Sequence, residues 1–494
     1  MLKKLLCLAL TALMLVGVLA SCALPNLNSS STTDPNGSQG GEIQEELEIP
    51  DTRYDDTELC FLTRDESEWS TLEIFAKEMT SNTDNINNAV YERNDSILQN
   101  YGVTVTEIKE VTGDHYSMVS KETSAPTGDF QVIVTNCYNS ANMATNRFLW
   151  DLNSDSVEYL DLEKPWWDSN LAKGMSINEK LYFATGDLMT SDNDATFVIL
   201  FNKQIATDVN LADLYSMVSN KEWTMDKMSE FIQTAKQDKD GDGKLAFDTD
   251  VAGFAYTGDG PYCVVFGGGV LMCTKDEDDT PFYNLDVERA QNVVEKGKLL
   301  FGKDYTVDLN AAQTSSGLTM VETGQKAFGE NHALFMGEVM QCVTRLRGFD
   351  VDFGILPWPM YDTQQGSYYS MMHATASVVS IPRSINEEKL VMVTSMLEAM
   401  AYYSVDTLTE QYYEINLKTK GAKDEQSGPM IDEILASRAC DLSYYYQWGS
   451  NAFAQLAQAA LPTSSVSVSS MSKRQKTAVD KSITLLLKSM SKED

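Results

Sequence analysis

The chain is poor in the residues and patterns that carry most enzyme chemistry. It has three histidines in 494 residues, and no HExxH, GxSxG or phosphate-loop pattern occurs. Its cysteines show neither a CxxC pair nor another metal-like spacing. The sequence therefore predicts a protein that is not an enzyme, although its many carboxylates leave a glycosidase open as an alternative.

Basic residues are also scarce. Lys and Arg together number 38 against 72 Asp and Glu, which gives a formal net charge of −34. A surface this acidic repels the phosphates of nucleic acids, so we expect no nucleic-acid partner. The hydrophobic content of 43% is typical of a globular protein, so the charge does not indicate a disordered chain.

Long apolar runs are missing except at the start of the chain. Residues 5–19 are apolar and follow Lys3 and Lys4, but this run is shorter than the ~20 residues of a membrane-spanning helix. The pattern is typical of a secretory signal, here residues 1–22. The end of this segment, Leu19-Ala20-Ser21-Cys22, resembles the bacterial lipoprotein signal. That resemblance implies a lipid on Cys22 and a protein anchored at the extracellular face of the membrane; the alternative is an ordinary cleaved signal.

The segment after the signal is predicted to be a flexible tether. Residues 23–57 are polar and rich in Gly and Ser, so they bury too little apolar surface to offset their ordering entropy. The remaining 58–494 are too long for one ordinary core, which predicts at least two lobes.

Six cysteines follow Cys22 in the predicted mature chain. An extracellular location is compatible with a disulfide, for which Cys263 and Cys273 are closest in sequence, whereas free buried thiols are the alternative. The six are Cys60, Cys137, Cys263, Cys273, Cys342 and Cys440.

Strand and helix patterns alternate in the first part of the predicted globular region. Residues 59–62 and 103–106 read as strands, and residues 86–101 have apolar side chains at helical spacing. Gly102 is a typical helix stop. This alternation predicts an α/β fold.

Ligands of such sheets bind beyond the carboxyl ends of the strands. Asp65 follows the strand at 59–62, and the turn 136–138 follows a predicted strand at 130–134. We therefore expect Asp65, Asn136 and Tyr138 at the edge of a binding site.

One acidic stretch has the carboxylate spacing of a calcium loop. Asp238, Asp240 and Asp242 occupy positions 1, 3 and 5, a glycine follows at position 6, and Lys244 could contribute its carbonyl oxygen. Position 12 is Thr249 rather than an acid, but a one-residue insertion would let Asp250 complete the site. The sequence therefore leaves two interpretations open, a structural calcium ion and a solvated acidic turn.

Aromatic residues cluster outside any helical or strand period. Clusters stand at 166–167 (Trp-Trp), 358–361, 368–369 and 444–448. Flat rings cover the apolar C–H face of a sugar while carboxylates and amides bind its hydroxyls, so the set favours sugar recognition. For any single ring, packing in a core is the alternative.

Several stretches in order along the chain resemble the extracellular solute-binding proteins of carbohydrate ABC importers (family 1 type). The resemblance runs from about residue 58 to residue 488 and rests on 88–94, 101–105, 164–168, 223–227, 238–254, 352–359, 412–420, 424–427 and 438–448. It departs from the family at Met371-Met372-His373-Ala374, where similar sequences are often rich in Asn and Gly.

The resemblance implies a two-lobed periplasmic-binding-protein-like fold (type II) with lobes joined by hinge crossovers. The first lobe would comprise 58–185 and 375–405, and the second 186–374 and 406–494. Crossovers are expected near 182–187 and 373–377. Ligand would bind between the lobes, and closure would present a surface to a permease.

The resemblance also implies a set of ligand-binding residues. Asp65, Asn136 and Tyr138 would come from the first lobe and Asp187 from the hinge. Tyr262, Glu338 and Trp448 would come from the second lobe. Asp65 and Glu338 would accept hydrogen bonds from hydroxyls, while Tyr138, Tyr262 and Trp448 would stack on the ligand.

The expected function is therefore capture of a sugar or oligosaccharide, without altering it, for delivery to an ABC permease. The expected partners are a carbohydrate, the permease subunits and the membrane through the N-terminal lipid, and the protein would be a monomer. No cofactor is expected beyond the calcium ion. A binder of another solute, such as a peptide held through Arg64, is the alternative, and a surface glycosidase is less favoured.

Overall fold

The computed structural model describes residues 45–64, 74–80, 85–419 and 425–491, with the backbone alone for 413–419. The predicted signal, the lipidation site Cys22 and the site residue Asp65 lie outside the described residues. Among the described residues, no helix has both the length and the apolar character that crossing a membrane requires.

The first lobe is built on a four-stranded sheet in the order β11-β3-β1-β2. β1 pairs in parallel with β2 and β3, and β11 is antiparallel to β3. The predicted strand at 59–62 lies within β1, where Leu59, Phe61 and Leu62 have no exposed surface. The strands are β1 (Thr57–Arg64), β2 (Val103–Glu110), β3 (Val132–Asn136) and β11 (Ser377–Ser380).

Helices of the first lobe connect and cover this sheet, because parallel strands need crossover connections. The predicted helix at 86–101 is confirmed as α1, and Gly102 follows it with φ +73°, a conformation that favours glycine. The helices are α1 (Asn85–Tyr101), α2 (His115–Ser124), α3 (Cys137–Thr145), α4 (Ser169–Met175) and α14 (Glu387–Ser404).

The second lobe is built on a five-stranded mixed sheet in the order β10-β4-β9-β5-β8. β4 is antiparallel to both of its neighbours, whereas β9, β5 and β8 run parallel. A separate antiparallel pair, β6-β7, forms a hairpin. The strands are β4 (Phe197–Asn202), β5 (Ala252–Tyr256), β6 (Cys273–Lys275), β7 (Pro281–Tyr283), β8 (Thr306–Asp308), β9 (Ala333–Val339) and β10 (Phe353–Leu356).

Helices surround this second sheet and continue to the end of the described chain. They are α5 (Ser191–Asp194), α6 (Lys203–Asp208), α7 (Leu214–Ser219), α8 (Met225–Ala235), α9 (Gly260–Gly267), α10 (Val287–Leu300), α11 (Leu309–Ser316), α12 (Met320–Gly329), α13 (Cys342–Arg345), a 3-10 turn (Leu346–Gly348), α15 (Ser427–Ala436), α16 (Leu442–Tyr445), α17 (Trp448–Ala459) and α18 (Val468–Met490). Ser489 at the end of α18 donates a hydrogen bond to the Thr145 carbonyl at the end of α3, so the terminal helix contacts the first lobe.

Two passages between the lobes run side by side. Bridges join Ala184 to Val379 on the first-lobe side and Thr196 to Met372 on the second-lobe side. Every residue from 181 to 202 is buried, so the first crossover passes through the interior. Both passages fall close to the crossovers expected near 182–187 and 373–377.

A third passage is the π-helix Val405–Thr419. Leu408 packs with Val90 of α1 in the first lobe. Four residues later, Tyr412 joins the core of the second lobe and donates a hydrogen bond of 2.7 Å to Asp194. The chain therefore changes lobe within this helix, while the lobe limit at 405/406 stays a prediction.

The described end of the predicted tether is packed against the first lobe. Lys164 pairs with Glu45 and with Glu48, each at 3.2 Å, and Leu47 packs against the core. The Tyr54 amide donates to the Tyr101 carbonyl at 2.7 Å. Residues 45–56 therefore differ from a free linker, because these contacts offset the entropy cost of ordering them. For residues 23–44 the tether stays a prediction.

The six cysteines of the described residues are free thiols. Five are buried and Cys440 is half-buried. Cys263 and Cys273, the pair closest in sequence, are both among the buried thiols, and burial raises the pKa of each well above its usual range.

Candidate functional site between the lobes

The first lobe contributes the carboxyl end of β3 to a site between the lobes. Asn136 ends β3 and caps α3, where its side-chain oxygen accepts the Asn139 amide at 2.8 Å. Tyr138 follows in the first turn of α3 with a half-buried ring. The Cys137 amide donates to the Ala374 carbonyl at 3.0 Å, which fixes this turn against the second crossover.

Aromatic rings from both lobes meet around Tyr444, which is 2% exposed. Its ring centre lies 6.1 Å from that of Tyr138 and 5.7 Å from that of Tyr262 on α9. Phe453 of α17 packs 5.6 Å from Tyr444 and stacks on Tyr262 at 6.2 Å. We call Tyr138, Tyr262, Tyr444 and Phe453 the Tyr444 cluster. It brings together two of the predicted stacking residues, one from each lobe.

An acidic and an imidazole side chain lie beside the Tyr444 cluster. His373 Nε2 is 3.6 Å from Asp259 Oδ1, and the Ala374 amide donates to the Tyr444 hydroxyl at 3.2 Å. The Thr375 amide donates to His373 Nδ1 at 3.2 Å, and the other ring nitrogen, Nε2, faces Asp259. Arg64, at the end of β1, donates to the Thr375 carbonyl.

The tyrosine hydroxyls of this site remain neutral. Burial raises the pKa of Tyr138 to about 12, and burial with the nearby Asp259 carboxylate raises the pKa of Tyr262. Burial also holds the pKa of Tyr444 well above its usual range. Neutral phenols can donate and accept hydrogen bonds while their rings offer apolar faces, which is the chemistry that hydroxyl-rich ligands require.

Three predicted site residues are buried instead of lining an open surface. Asp187 is 1% exposed, and its amide donates to the Trp166 carbonyl, which places it in the first crossover. Glu338 is 6% exposed on β9 and accepts the Val339 amide at 3.0 Å. Trp448 is 5% exposed and packs on Tyr446, at 5.5 Å between ring centres. Their predicted roles as ligand contacts stay predictions.

Sequence reasoning did not select Tyr444, Asp259 or His373 as site residues. Tyr444 lies in the aromatic run 444–448. His373 lies in the segment 371–374, whose sequence differs from the pattern of the family that the chain resembles. Asp259 precedes a helix with Pro261 in its first turn, which is a typical helix start. These signals marked the segments, but only the fold brings the three side chains together.

The tandem tryptophans 166–167 are structural in this fold. Both are buried, and their indole N–H groups donate to the two carboxylate oxygens of Glu398 on α14, at 2.8 and 2.9 Å. Burial raises the pKa of Glu398 to about 7 even though the two indole donors favour its ionised form. This arrangement ties the segment before the first crossover to the first lobe.

A buried ion network ties the first crossover to the second lobe. Arg438 donates to Asp168 at 2.8 Å and to Asp192 at 2.7 Å, and it also contacts the Asn193 side chain. The charged groups of the two ion pairs are at most 1% exposed. Burial raises the pKa of Asp168 to about 6, against the opposing effect of Arg438.

The structure brings together three of the five predicted metal ligands. Carboxylate oxygens of Asp238, Asp240 and Asp250 lie within 4.8 Å of one another. Asp242 is not part of this group; its carboxylate accepts the Lys244 amide at 2.7 Å. Asp250 is fully buried and accepts amides of the same loop at 2.9 and 2.8 Å. Three converging carboxylates are a donor set that suits a hard cation such as calcium.

Two α/β lobes with three connecting passages and a site at their junction define the fold class of the two-lobed solute-binding proteins. The predicted fold is confirmed by similarity to solved structures of that class. No protein-family model matches the chain, and no curated protein is significantly similar to it in sequence.

Three solved structures illustrate the likeness. The sugar-binding protein MalE from Xanthomonas citri is 10% identical, covers 89% of this chain and 100% of its own, and has a TM-score of 0.58. A sugar transporter from Rhizobium etli in an open conformation is 11% identical, covers 86% and 99%, and has a TM-score of 0.55. An ABC substrate-binding protein from Listeria monocytogenes in complex with cycloalternan is 11% identical, covers 87% and 100%, and has a TM-score of 0.53.

Proposed function

We propose that this protein is the substrate-binding subunit of a carbohydrate ABC importer. It would capture a sugar or oligosaccharide between its lobes and deliver it unaltered to permease subunits. The observation that carries the proposal is the Tyr444 cluster, in which aromatic rings from both lobes meet beside a carboxylate and an imidazole. Proteins of the same fold that are described as sugar-binding or cycloalternan-bound support it.

The mature protein would act outside the cell as a lipid-anchored monomer. The support for this part is the sequence of residues 1–22, with its basic start, its short apolar run and Cys22 at the end. A lipid on Cys22 would hold the protein near its permease without embedding it in the membrane.

We also propose that the loop 238–250 binds one structural calcium ion through Asp238, Asp240 and Asp250. The proximity of their oxygens supports this assignment. The ion would supply positive charge among these carboxylates and stiffen the loop.

The binding proposal is tested with a panel of monosaccharides, linear maltodextrins and cyclic glucans. We expect at least one of them to raise the melting temperature by mass action and to release or absorb heat on titration. Tyr138→Ala is expected to weaken that binding at least about tenfold, because it removes a ring from one wall of the site.

Tyr361→Ala is the matched control, since Tyr361 is also a half-buried tyrosine but packs between Arg289 and Lys296. Its sugar affinity should equal that of the wild type. A panel that gives neither a thermal shift nor a heat would overturn the proposal, as would the release of reducing ends from an oligosaccharide.

A further inference from the structure

Two tight turns, one from each lobe, contact each other beside the lobe junction. The first is the turn 177–180, closed by a bridge between Ile177 and Lys180, with Asn178 and Glu179 at φ +51° and +63°. The second is the loop of the β6-β7 hairpin, residues 276–280, with Asp279 at φ +56°.

The turn 177–180 is fixed to the first lobe. The Leu181 amide donates to Asp151 at 3.0 Å, and the Asn153 side chain donates to the Glu179 carbonyl at 2.7 Å. The neighbouring Trp150 amide donates to the Ile381 carbonyl just after β11, at 2.8 Å. The turn therefore moves with the sheet of the first lobe.

The hairpin is fixed to the terminal helices of the second lobe. Asp441, which caps α16, accepts the amides of Met272 and Cys273. Tyr283 at the other end of the hairpin donates to Ser472 of α18 at 3.0 Å. The loop itself is closed by Asp276, whose side chain accepts amides of the loop, so its fold does not depend on the contact with the first lobe.

The contact between the two turns is polar and dense. Asp279 accepts the Asn178 amide with its carbonyl and the Glu179 amide with its carboxylate, each at 2.9 Å. Lys275 donates to the carbonyl and the hydroxyl of Ser176, each at 2.9 Å, and it pairs with Asp279 at 2.6 Å. The side chains of Lys275 and Asp279 are only 19% and 22% exposed, so water screens these bonds less than it screens a free surface pair.

We propose that the β6-β7 hairpin is a latch that holds the two lobes in contact before ligand arrives. Lys275 and Asp279 bind residues 176–179 of the first lobe, just before the first crossover, and we infer that opening the lobes breaks these bonds. The latch sets the fraction of closed molecules in the absence of ligand. Its effect on ligand affinity rests on the proposed function. If the closed form is the one that binds ligand, the apparent affinity is proportional to the fraction of closed molecules, so weakening the latch lowers it.

The test compares the variant Lys275→Met/Asp279→Gly with the wild type, both without ligand. Glycine suits the positive φ of residue 279, and the loop keeps its own bonds to Asp276. The readouts are hydrogen exchange at the amides of Asn178 and Glu179 and the radius of gyration from X-ray scattering. Circular dichroism verifies that the variant is folded.

We expect both amides to exchange at least about tenfold faster in the variant, equivalent to about 1.4 kcal/mol, and the radius of gyration to increase. Lys298→Met removes an ion pair within α10 and should change neither readout. Wild-type amides that exchange as fast as free turns would overturn the latch, and so would an unchanged radius of gyration in the variant.

The two proposals can fail separately. If no carbohydrate binds either the wild type or the variant, the proposed function fails, while exchange and scattering still decide the latch. If carbohydrate binds the wild type and the variant equally and scattering is unchanged, the latch fails and the proposed function stands.

Discussion

Two acidic stretches of this chain are similar in sequence and differ in what neutralises them. In α5, Asp192 and Asp194 are buried, and they pair with Arg438 and with the Tyr412 hydroxyl. In the loop 238–250, Asp238 and Asp240 are exposed, and within the described part of the chain their hydrogen-bond donors are backbone amides. The first stretch receives a positive charge from the protein itself, whereas the second presents its charges to the solvent.

Burial decides the role of these carboxylates more than their neighbours in sequence do. A buried carboxylate without a partner costs several kcal/mol, so the fold must bring donors to it from distant segments. An exposed one is solvated by water and remains available to an external cation. Acidic spacing alone therefore cannot tell a hinge network from a metal loop.

The largest effect is expected from breaking the buried network. Arg438→Met leaves Asp168 and Asp192 buried without their cation, so we expect the free energy of unfolding to fall by about 3–5 kcal/mol. Urea denaturation of the wild type and the variant at neutral pH measures this loss of unfolding free energy. Lys221→Met, which breaks a half-exposed pair with Glu433, is the control and should cost less than about 1 kcal/mol. If both variants lost the same unfolding free energy, the buried ion pairs of Arg438 would contribute no more than the half-exposed pair of Lys221.

A smaller effect is expected from pH. The folded-state pKa of Glu398 is raised from 4.5 to about 7, so its protonated form stabilises the fold at low pH. This contribution is fully present below about pH 4.5 and is lost as pH rises through about 7, a change of up to about 3 kcal/mol. Asp168 and Asp194, each with its pKa raised to about 6, act in the same direction.

Glu398→Gln isolates this contribution, because a neutral side chain of the same shape cannot ionise. We expect the decrease in unfolding free energy between pH 5 and pH 8 to be smaller in the variant than in the wild type, measured by urea denaturation at both values. Asp168 and Asp194 still titrate in the variant, so part of the pH dependence of the unfolding free energy remains. A slope identical to that of the wild type would show that Glu398 does not titrate in this range.

Much of the fold could be predicted because its signals are local. The buried run at 59–62 and the helical spacing at 86–101 lie where β1 and α1 form, since burial of apolar side chains dominates both elements. The packing of residues 45–56 was missed because it depends on partners such as Lys164 and Tyr101, which composition does not reveal.

Residues of the candidate site could be predicted from the sequence only where they directly follow the end of a strand. Tyr138 follows β3, and its role as a ligand contact stays a prediction, whereas its ring partner Tyr444 lies more than 300 residues away in sequence. Nothing in the local sequence distinguishes Tyr444 from Tyr446 or Trp448, and the choice among them depends on how α16 and α17 pack. The buried positions of Glu338 and Asp187 likewise depend on contacts between distant segments.

The smallest effect is expected from the exposed acidic loop. Extracellular calcium modules bind with dissociation constants of about 0.1–1 mM, so 2 mM Ca²⁺ should stabilise the protein by about 0.6–1.8 kcal/mol. The measurement is the melting temperature in calcium against chelator, with magnesium at equal ionic strength as the reference. Asp240→Asn should abolish the calcium-specific shift because it removes one of the three converging carboxylates. Asp242→Asn, a change of the same kind outside that group, should retain most of it. A shift that magnesium reproduces, or that Asp240→Asn leaves intact, would mean that solvent alone neutralises this loop.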